Sequence, residues 1–293
     1  MGIDAGGTHV RAALADPETR EPVGDTVTIA ANASGEPPDL PTASGVTSVC
    51  AGIAKYTRPG IAAAWGTRLR ETYPGAIVQV VPDYEIAFHA GVPGGSGVCV
   101  VAGTGSVAYG ENPESGAAAR VGGRGWEWGD EGSGTWLTTE MVRRTLRALD
   151  AQAPATALTH AVCAELETTD AAILAQVARD RAGETGRGFL VPLLVRLYTG
   201  GDREAHGLFT GAGGWLASLG TVTATRLSFG TGDSVTFAAA GGVWEAGGST
   251  VRQAFETAVR RKFPASVFVF DAPEPITGAV RLAAKHGIRK RSE

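Results

Sequence analysis

"GIDAGGTHVRAALA", residues 2–15, decides how the rest of the chain is read. A short apolar start runs into an acid, two glycines and a threonine, and an apolar stretch then returns. The pattern predicts a strand, a tight loop over residues 4–8 and an antiparallel strand. Turn chemistry alone explains glycine pairs with Asp and Thr. The alternative is a loop whose backbone N–H groups and Thr8 hydroxyl face an anion, with Asp4 near a cation. One loop cannot decide between these, so the question passes to whether the chain supplies a matching partner.

It does, about a hundred residues on. "GVCVVAGTGSVAYGE", residues 97–111, is again an apolar strand, a glycine turn and a returning strand. Around these two openings the chain reads as α/β. A hairpin turn at 16–25 leads to a third strand at 26–33. The Pro/Gly/Ser-rich stretch 34–45 is loop. A buried strand is expected at 46–54, a helix at 59–74 between two prolines, a strand at 76–83 and a short helix after it. In the second half, 116–134 reads as a glycine-rich loop. An amphipathic helix follows from Thr135, helical segments fill much of 156–226, and a strand ends in Gly241-Gly242. Helix, strand and helix close the chain. One organisation appearing twice predicts two related α/β domains with a cleft between them, divided in the "VPGGSG" stretch near Val92–Ser96.

Composition narrows the classes. The chain has 293 residues, 43% hydrophobic and 19% charged, enough for two ordinary cores. Mean hydropathy is +0.02, and no apolar run approaches a bilayer span. A net charge of −4 gives no electrostatic case for nucleic acid. The basic end "KHGIRKRSE" reads as a solvated helix terminus. Cys50, Cys99 and Cys163 form no C-x-x-C and no disulfide framework, which predicts free thiols in a reducing compartment. His89, His160 and His206 lack metal-ligand spacing.

The candidate chemistry lies in a few acids and glycine turns. Gly6-Gly7-Thr8 and Gly103-Thr104-Gly105-Ser106 each follow an apolar strand, and unpaired N–H groups in such turns make an anion-binding concavity. Neither matches a P-loop, and neither is the dinucleotide fingerprint. A carboxylate beside a polyphosphate is repulsive unless a cation intervenes, so Asp4 implies Mg²⁺, held through water; a turn-stabilising Asp is the commoner role. Asp83 closes a strand and is placed to take a proton from an alcohol; by residue preference an N-cap for the following helix competes with this. The stretch 122–134, "GGRGWEWGDEGSG", holds six glycines, two tryptophans and three acids. Asp130 with Gly122-Gly123 offers acceptors and close backbone to a hydroxyl-rich ligand. Glu131 reads as a helix-start acid, and at least one of Trp126 and Trp128 as core. Gly241-Gly242 either borders an adenosine or is a simple strand-to-helix turn.

The segments "GIDAGGTHVRAAL", "VVPDYEIAFHAG", "VVAGTGSVAYG", "GGRGWEWGDEGSGTWL" and "AAAGGV" occur in the order found in the acetate and sugar kinase, heat-shock cognate and actin superfamily. Within it the chain resembles the BadF/BadG/BcrA/BcrD ATPase group, which contains N-acetylglucosamine and glucosamine kinases. The resemblance implies two ribonuclease H-like domains, residues 1–94 and 95–293, closing on Mg-ATP, with the last helix, 276–293, packing back on the first. It implies Asp4 as the Mg²⁺-linked acid, and Gly6, Gly7 and Thr8 as the first phosphate loop. Gly103, Thr104, Gly105 and Ser106 form the second, and Asp83 is the base. Asn32, Gly123 and Asp130 contact the sugar, and Gly241 and Gly242 border the adenosine. The implied activity is a cytoplasmic ATP-dependent hexosamine kinase acting at the 6-hydroxyl, with a homodimer as a family expectation. The alternatives are an ATPase that activates a partner enzyme and a catalytically impaired sugar-binding homologue.

Overall fold

Two five-stranded mixed sheets with one shared topology organise the molecule. The structure is a computed structural model describing residues 1–6, 9–16, 18–32 and 34–289. In the first sheet β1 (Gly2–Ala5), β2 (His9–Ala15) and β3 (Pro22–Ala30) form an antiparallel meander. Strands β4 (Ser48–Ile53) and β5 (Ile77–Pro82) add in parallel on the other side of β1, giving the order β3-β2-β1-β4-β5. Helix α1 (Ile61–Thr72) joins β4 to β5, and α2 (Asp83–Gly91) follows.

The second sheet repeats the scheme with β6 (Gly97–Ala102), β7 (Ser106–Asn112), β8 (Ala117–Gly122), β9 (Thr236–Ala240) and β10 (Val267–Val269) in the order β8-β7-β6-β9-β10. Helices α3 (Gly134–Leu149), α4 (Ala157–Glu165), α5 (Ala171–Glu184), α6 (Val191–Thr199) and α7 (Arg203–Arg226) are inserted between β8 and β9. The short α8 (Val243–Ala246) and α9 (Gly248–Arg260) precede β10, and α10 (Pro275–Arg289) ends the described chain. No helix among the described residues is long and apolar enough to cross a membrane.

Parallel strands covered on both faces must be apolar throughout, and β4 is buried at all six positions. Val49, Ala51 and Ile53 pack with Trp65 and Leu69 of α1. Cys50 points the other way, against Ile86 of α2 and Ala279 and Leu282 of α10. Helix α2 serves both sheets, because its Ala87 and Phe88 pack on Cys99 and Ala238 of the second. Helix α10 lies across α2, with contacts to β1, β2 and β4. Their crossing is close: a Cβ on Gly278 would sit 1.8 Å from the Ile86 carbonyl oxygen, so only glycine fits. Arg281 ties the crossing off, donating to the carbonyls of His89 (3.2 Å) and Ala90 (2.9 Å) and to Glu21 Oε1 (2.8 Å).

Several sequence expectations shift. The stretch 116–134 is not all loop, since residues 117–122 form β8; an alanine run carries no alternation to announce an edge strand. The third strand runs over 22–30 rather than 26–33. Trp126 and Trp128 are both exposed, at 49% and 81%, so neither is core. Glu131 does not start α3; Ser133 caps it, accepting from the Trp136 N–H. Cys50 and Cys99 are buried free thiols, and Cys163 is partly buried. The basic terminus lies largely outside the described side chains.

Candidate active site

The parallel strands bring the candidate acids to one edge. Register pairs Ala5 with Ile53 and Ile53 with Pro82, so β1, β4 and β5 end level with one another. Asp4 is level with Val81, so Asp83, two residues on, leaves the same edge of the sheet two strands away. Ligands of open α/β sheets bind outside such carboxyl ends. Asp83 is the first residue of α2. Its Oδ1 accepts the neighbouring Tyr84 N–H at 2.9 Å, rather than reaching two or three residues on as an N-cap would. The residue is open to solvent, yet enough protein surrounds it that burial raises its carboxyl pKa.

Asp4 is pushed up to about 6, first by burial and then by the charge of Asp83, against the pull of Arg11. Arg11 is also engaged by Glu274 at 3.1 Å. Two carboxyls whose pKa values are both raised suit a bound cation, which favours the ionised form of both. The donor set, hard oxygens at an open edge, fits Mg²⁺.

The first loop is described only to Gly6, whose N–H closes the turn on the His9 carbonyl at 3.0 Å. Gly7 and Thr8 lie outside the described residues. Asn32 stands beside Gly6 in a recess of about 10 Å³ shared with Trp65, and its Nδ2 donates to the Glu36 carbonyl at 3.1 Å. That space holds about one water, so a sugar would lie over the recess rather than in it.

The second loop is built as a frame with an open front. Gly103 N–H bonds the Gly105 carbonyl, and the Gly103 and Thr104 carbonyls take the Gly134 and Thr135 N–H groups of α3 (2.8 and 3.2 Å). Ser106 is a buried strut, giving its N–H to Asp130 Oδ1 (3.2 Å) and its hydroxyl to the Glu131 carbonyl (2.7 Å). Among the described residues this leaves the N–H groups of Thr104 and Gly105 without acceptors, and Thr104 is exposed. Asp130 sits in the left-handed region (φ 62°), and a Cβ on Gly105 would meet its Oδ2 at 2.9 Å. Strain of that kind persists where surrounding bonds hold it, often at functional sites. Gly241 has φ 98°, and a Cβ there would stand 2.5 Å from the Ala102 carbonyl oxygen. Its backbone thus packs directly on the second loop. A Cβ at Gly103 or Gly242 would meet nothing within 4 Å, so both face open space.

Arg120 of β8 connects the halves and went unnoticed in the sequence. It donates to the Gly123 carbonyl at 2.6 Å, its charge lowers the Asp83 pKa, and its guanidinium lies 5.4 Å from the Tyr84 ring centroid. Gly123 N–H in turn bonds the Ser106 carbonyl at 2.9 Å. A chain of interactions therefore runs from Asp83, through the charge of Arg120, to Gly123, Ser106 and Asp130. Only recognition of β8 would have exposed it. The structure sets Asn32 against the first loop and Gly123 and Asp130 against the second.

Comparison with known proteins agrees with this architecture. The chain is similar to an N-acetylmuramic acid/N-acetylglucosamine kinase of Clostridium acetobutylicum, 42% identical over 86 residues, which are 29% of this chain and 28% of that protein. It is similar to an N-acetyl-D-glucosamine kinase of Dictyostelium discoideum, 29% identical over 180 residues covering 59% of this chain and 56% of the other. The matched regions thus span less than two thirds of either relative. A Porphyromonas gingivalis protein, provisionally assigned as an N-acetylglucosamine kinase, superposes with a TM-score of 0.68 at 19% identity over 97% of this chain and 98% of that one. This last likeness establishes the fold. The family described as BadF/BadG/BcrA/BcrD ATPase matches residues 1–283, and the chain belongs to it.

Proposed function

We propose that the protein is an ATP-dependent hexosamine kinase that phosphorylates N-acetylglucosamine, or glucosamine, at the 6-hydroxyl. The observation that carries this reading is Asp83: an exposed carboxylate just past the end of β5, at the same sheet edge as Asp4. One of its oxygens is occupied by a backbone N–H, and the other is left for a substrate hydroxyl.

Asp83 takes the proton of that hydroxyl as the oxygen attacks the γ-phosphorus in line, and the bond from that phosphorus to the β,γ-bridging oxygen breaks to release ADP. Its raised pKa makes it a stronger base than an ordinary carboxylate. The free N–H groups of Thr104 and Gly105 stabilise charge on the phosphoryl oxygens, the dominant contribution in this chemistry. Asp4 would hold Mg²⁺ through water, and the ion when bound would supply charge neutralisation. Gly241 and Gly242 present bare backbone to the nucleoside. Asn32, Gly123 and Asp130 position the sugar, with Asp130 fixed by the Ser106 N–H. Closure of the halves across α2 excludes water as a competing acceptor.

A partner-activating ATPase with a cysteine-held cluster is disfavoured, because the Cys50 and Cys99 side chains are wholly buried and burial raises both thiols, that of Cys99 to about 12. Coupled ADP release with Mg²⁺ against glucosamine, N-acetylglucosamine, N-acetylmannosamine, N-acetylmuramate and glucose tests the assignment. Turnover greatest with a hexosamine supports it; ADP release indifferent to every sugar overturns it.

A further inference from the structure

A groove of about 470 Å³ runs between α3 and α5, and none of the residues assigned to the site above lines it. Its position is tied to the second loop by Thr135, which lines the groove while its hydroxyl donates to the Thr104 carbonyl at 2.7 Å. Val142, Leu146 and Phe189 supply apolar walls, and three arginines, Arg143, Arg179 and Arg187, line it with no acidic residue among the lining. The chain as a whole carries a net charge of −4, so this concentration of cations runs against the background.

Two features point to a ligand. First, the Arg187 guanidinium lies 3.8 Å from the ring centroid of Trp126, which is 49% exposed. Stacking on an aromatic face fixes the planar fork and leaves its edge donors directed outward, the arrangement suited to a carboxylate. Arg143 is already paired with Glu140 at 2.9 Å, but among the described residues Arg187 has no carboxylate partner, and Arg179 bonds only the Gln176 amide oxygen at 3.2 Å. Second, the Thr138 hydroxyl in the groove wall is buried, the residue being 4% exposed, and has no hydrogen-bond partner. Other helical threonines, such as Thr145 and Thr223, bond the carbonyl four residues back at 2.9 and 2.8 Å. Thr138 does not, which leaves a buried polar atom in want of a partner.

We infer that this groove binds a small organic anion: a carboxylate on an apolar body, with the charge held by Arg187 and Arg179 and a polar atom received by Thr138. The anion is either a substituent of the acceptor sugar or a separate molecule. The first source rests on the kinase reading above; the groove itself does not.

Calorimetric titration of the purified chain distinguishes these sources, with N-acetylmuramate, N-acetylglucosamine and 3-phenylpropionate as probes. The expected result is that at least one of the two carboxylates binds. Arg187→Gln then weakens that binding about tenfold or more, the scale of one charge-assisted contact, while N-acetylglucosamine binding is unchanged. Loss on N-acetylmuramate identifies a sugar substituent, and loss on 3-phenylpropionate a separate ligand. Arg179→Gln provides a second exposed variant, and thermal melts confirm that both fold. The inference is overturned if neither carboxylate binds, or if both variants bind the carboxylates as the unaltered chain does. Absence of sugar phosphorylation alongside intact, Arg187-dependent anion binding would sink the kinase reading alone.

Discussion

Asp83 and Arg120 show how much of the site is set by single side chains. Burial raises the Asp83 pKa, and Arg120 holds part of that rise back. A general base works only when ionised, so activity falls as pH drops through its pKa. Removing the Arg120 charge lets that pKa climb further, and the acid limb must move with it. Arg120→Gln is therefore expected to shift the acid limb of the kcat/KM profile to higher pH, with the plateau above it affected less. An unmoved limb would show that Arg120 does not act on Asp83. Residue by residue, legibility was uneven. Asp4, Asp83 and the two glycine turns are visible because acids and glycines at strand ends stand out from apolar surroundings. Arg120 is not, since one arginine in "AAARVGG" looks like any surface charge until β8 is paired with β7. The tryptophans misled for a related reason: an aromatic in a glycine-rich loop carries no periodicity to say which way it faces.

At the scale of elements, the strand–turn–strand units are what the sequence announces most clearly. Apolar runs bounded by glycine fixed β1, β2, β6 and β7, and Pro59 and Pro74 bracketed α1 within two residues. The edge strands β3 and β8 were displaced or missed, because residues at an edge are half exposed and need no hydrophobic alternation. The turn after β9 was readable as glycine, but not the reason for it. Gly241 combines a left-handed backbone with contact on the second loop, so a methyl group there meets both costs. Gly241→Ala is expected to destabilise the protein by on the order of 2–3 kcal/mol in urea unfolding, and to weaken nucleotide binding beyond what stability explains. A fully stable variant with normal nucleotide affinity would mean that the turn relaxes without disturbing Gly103.

Across the whole molecule, the repeated topology places two glycine loops in equivalent positions, and one pair of helices joins the halves. The family resemblance implied that the last helix packs back on the first domain, but helical periodicity, which reports an apolar face and not its neighbour, did not name α2 as its partner. Helix α2 packs on both sheets, and α10 reaches back across it to β1 and β4. Gly278 allows the crossing, and Arg281 secures it at the end of α2. Gly278→Ala would force the helices apart by overpacking, with an expected loss of about 1–3 kcal/mol, and turnover should fall more than either half's local stability. Differential scanning calorimetry that shows the two halves melting separately, where the unaltered chain melts once, would confirm that this crossing couples them. A single unshifted transition would contradict it.

The account rests most heavily on Asp83 as the group that receives the acceptor's proton. The direct measurement is steady-state turnover of Asp83→Asn with N-acetylglucosamine and Mg-ATP, alongside equilibrium nucleotide binding. The predicted outcome is a fall in kcat of roughly 10²–10⁴-fold with nucleotide affinity within a few-fold of normal. Undiminished kcat in a correctly folded variant would contradict it.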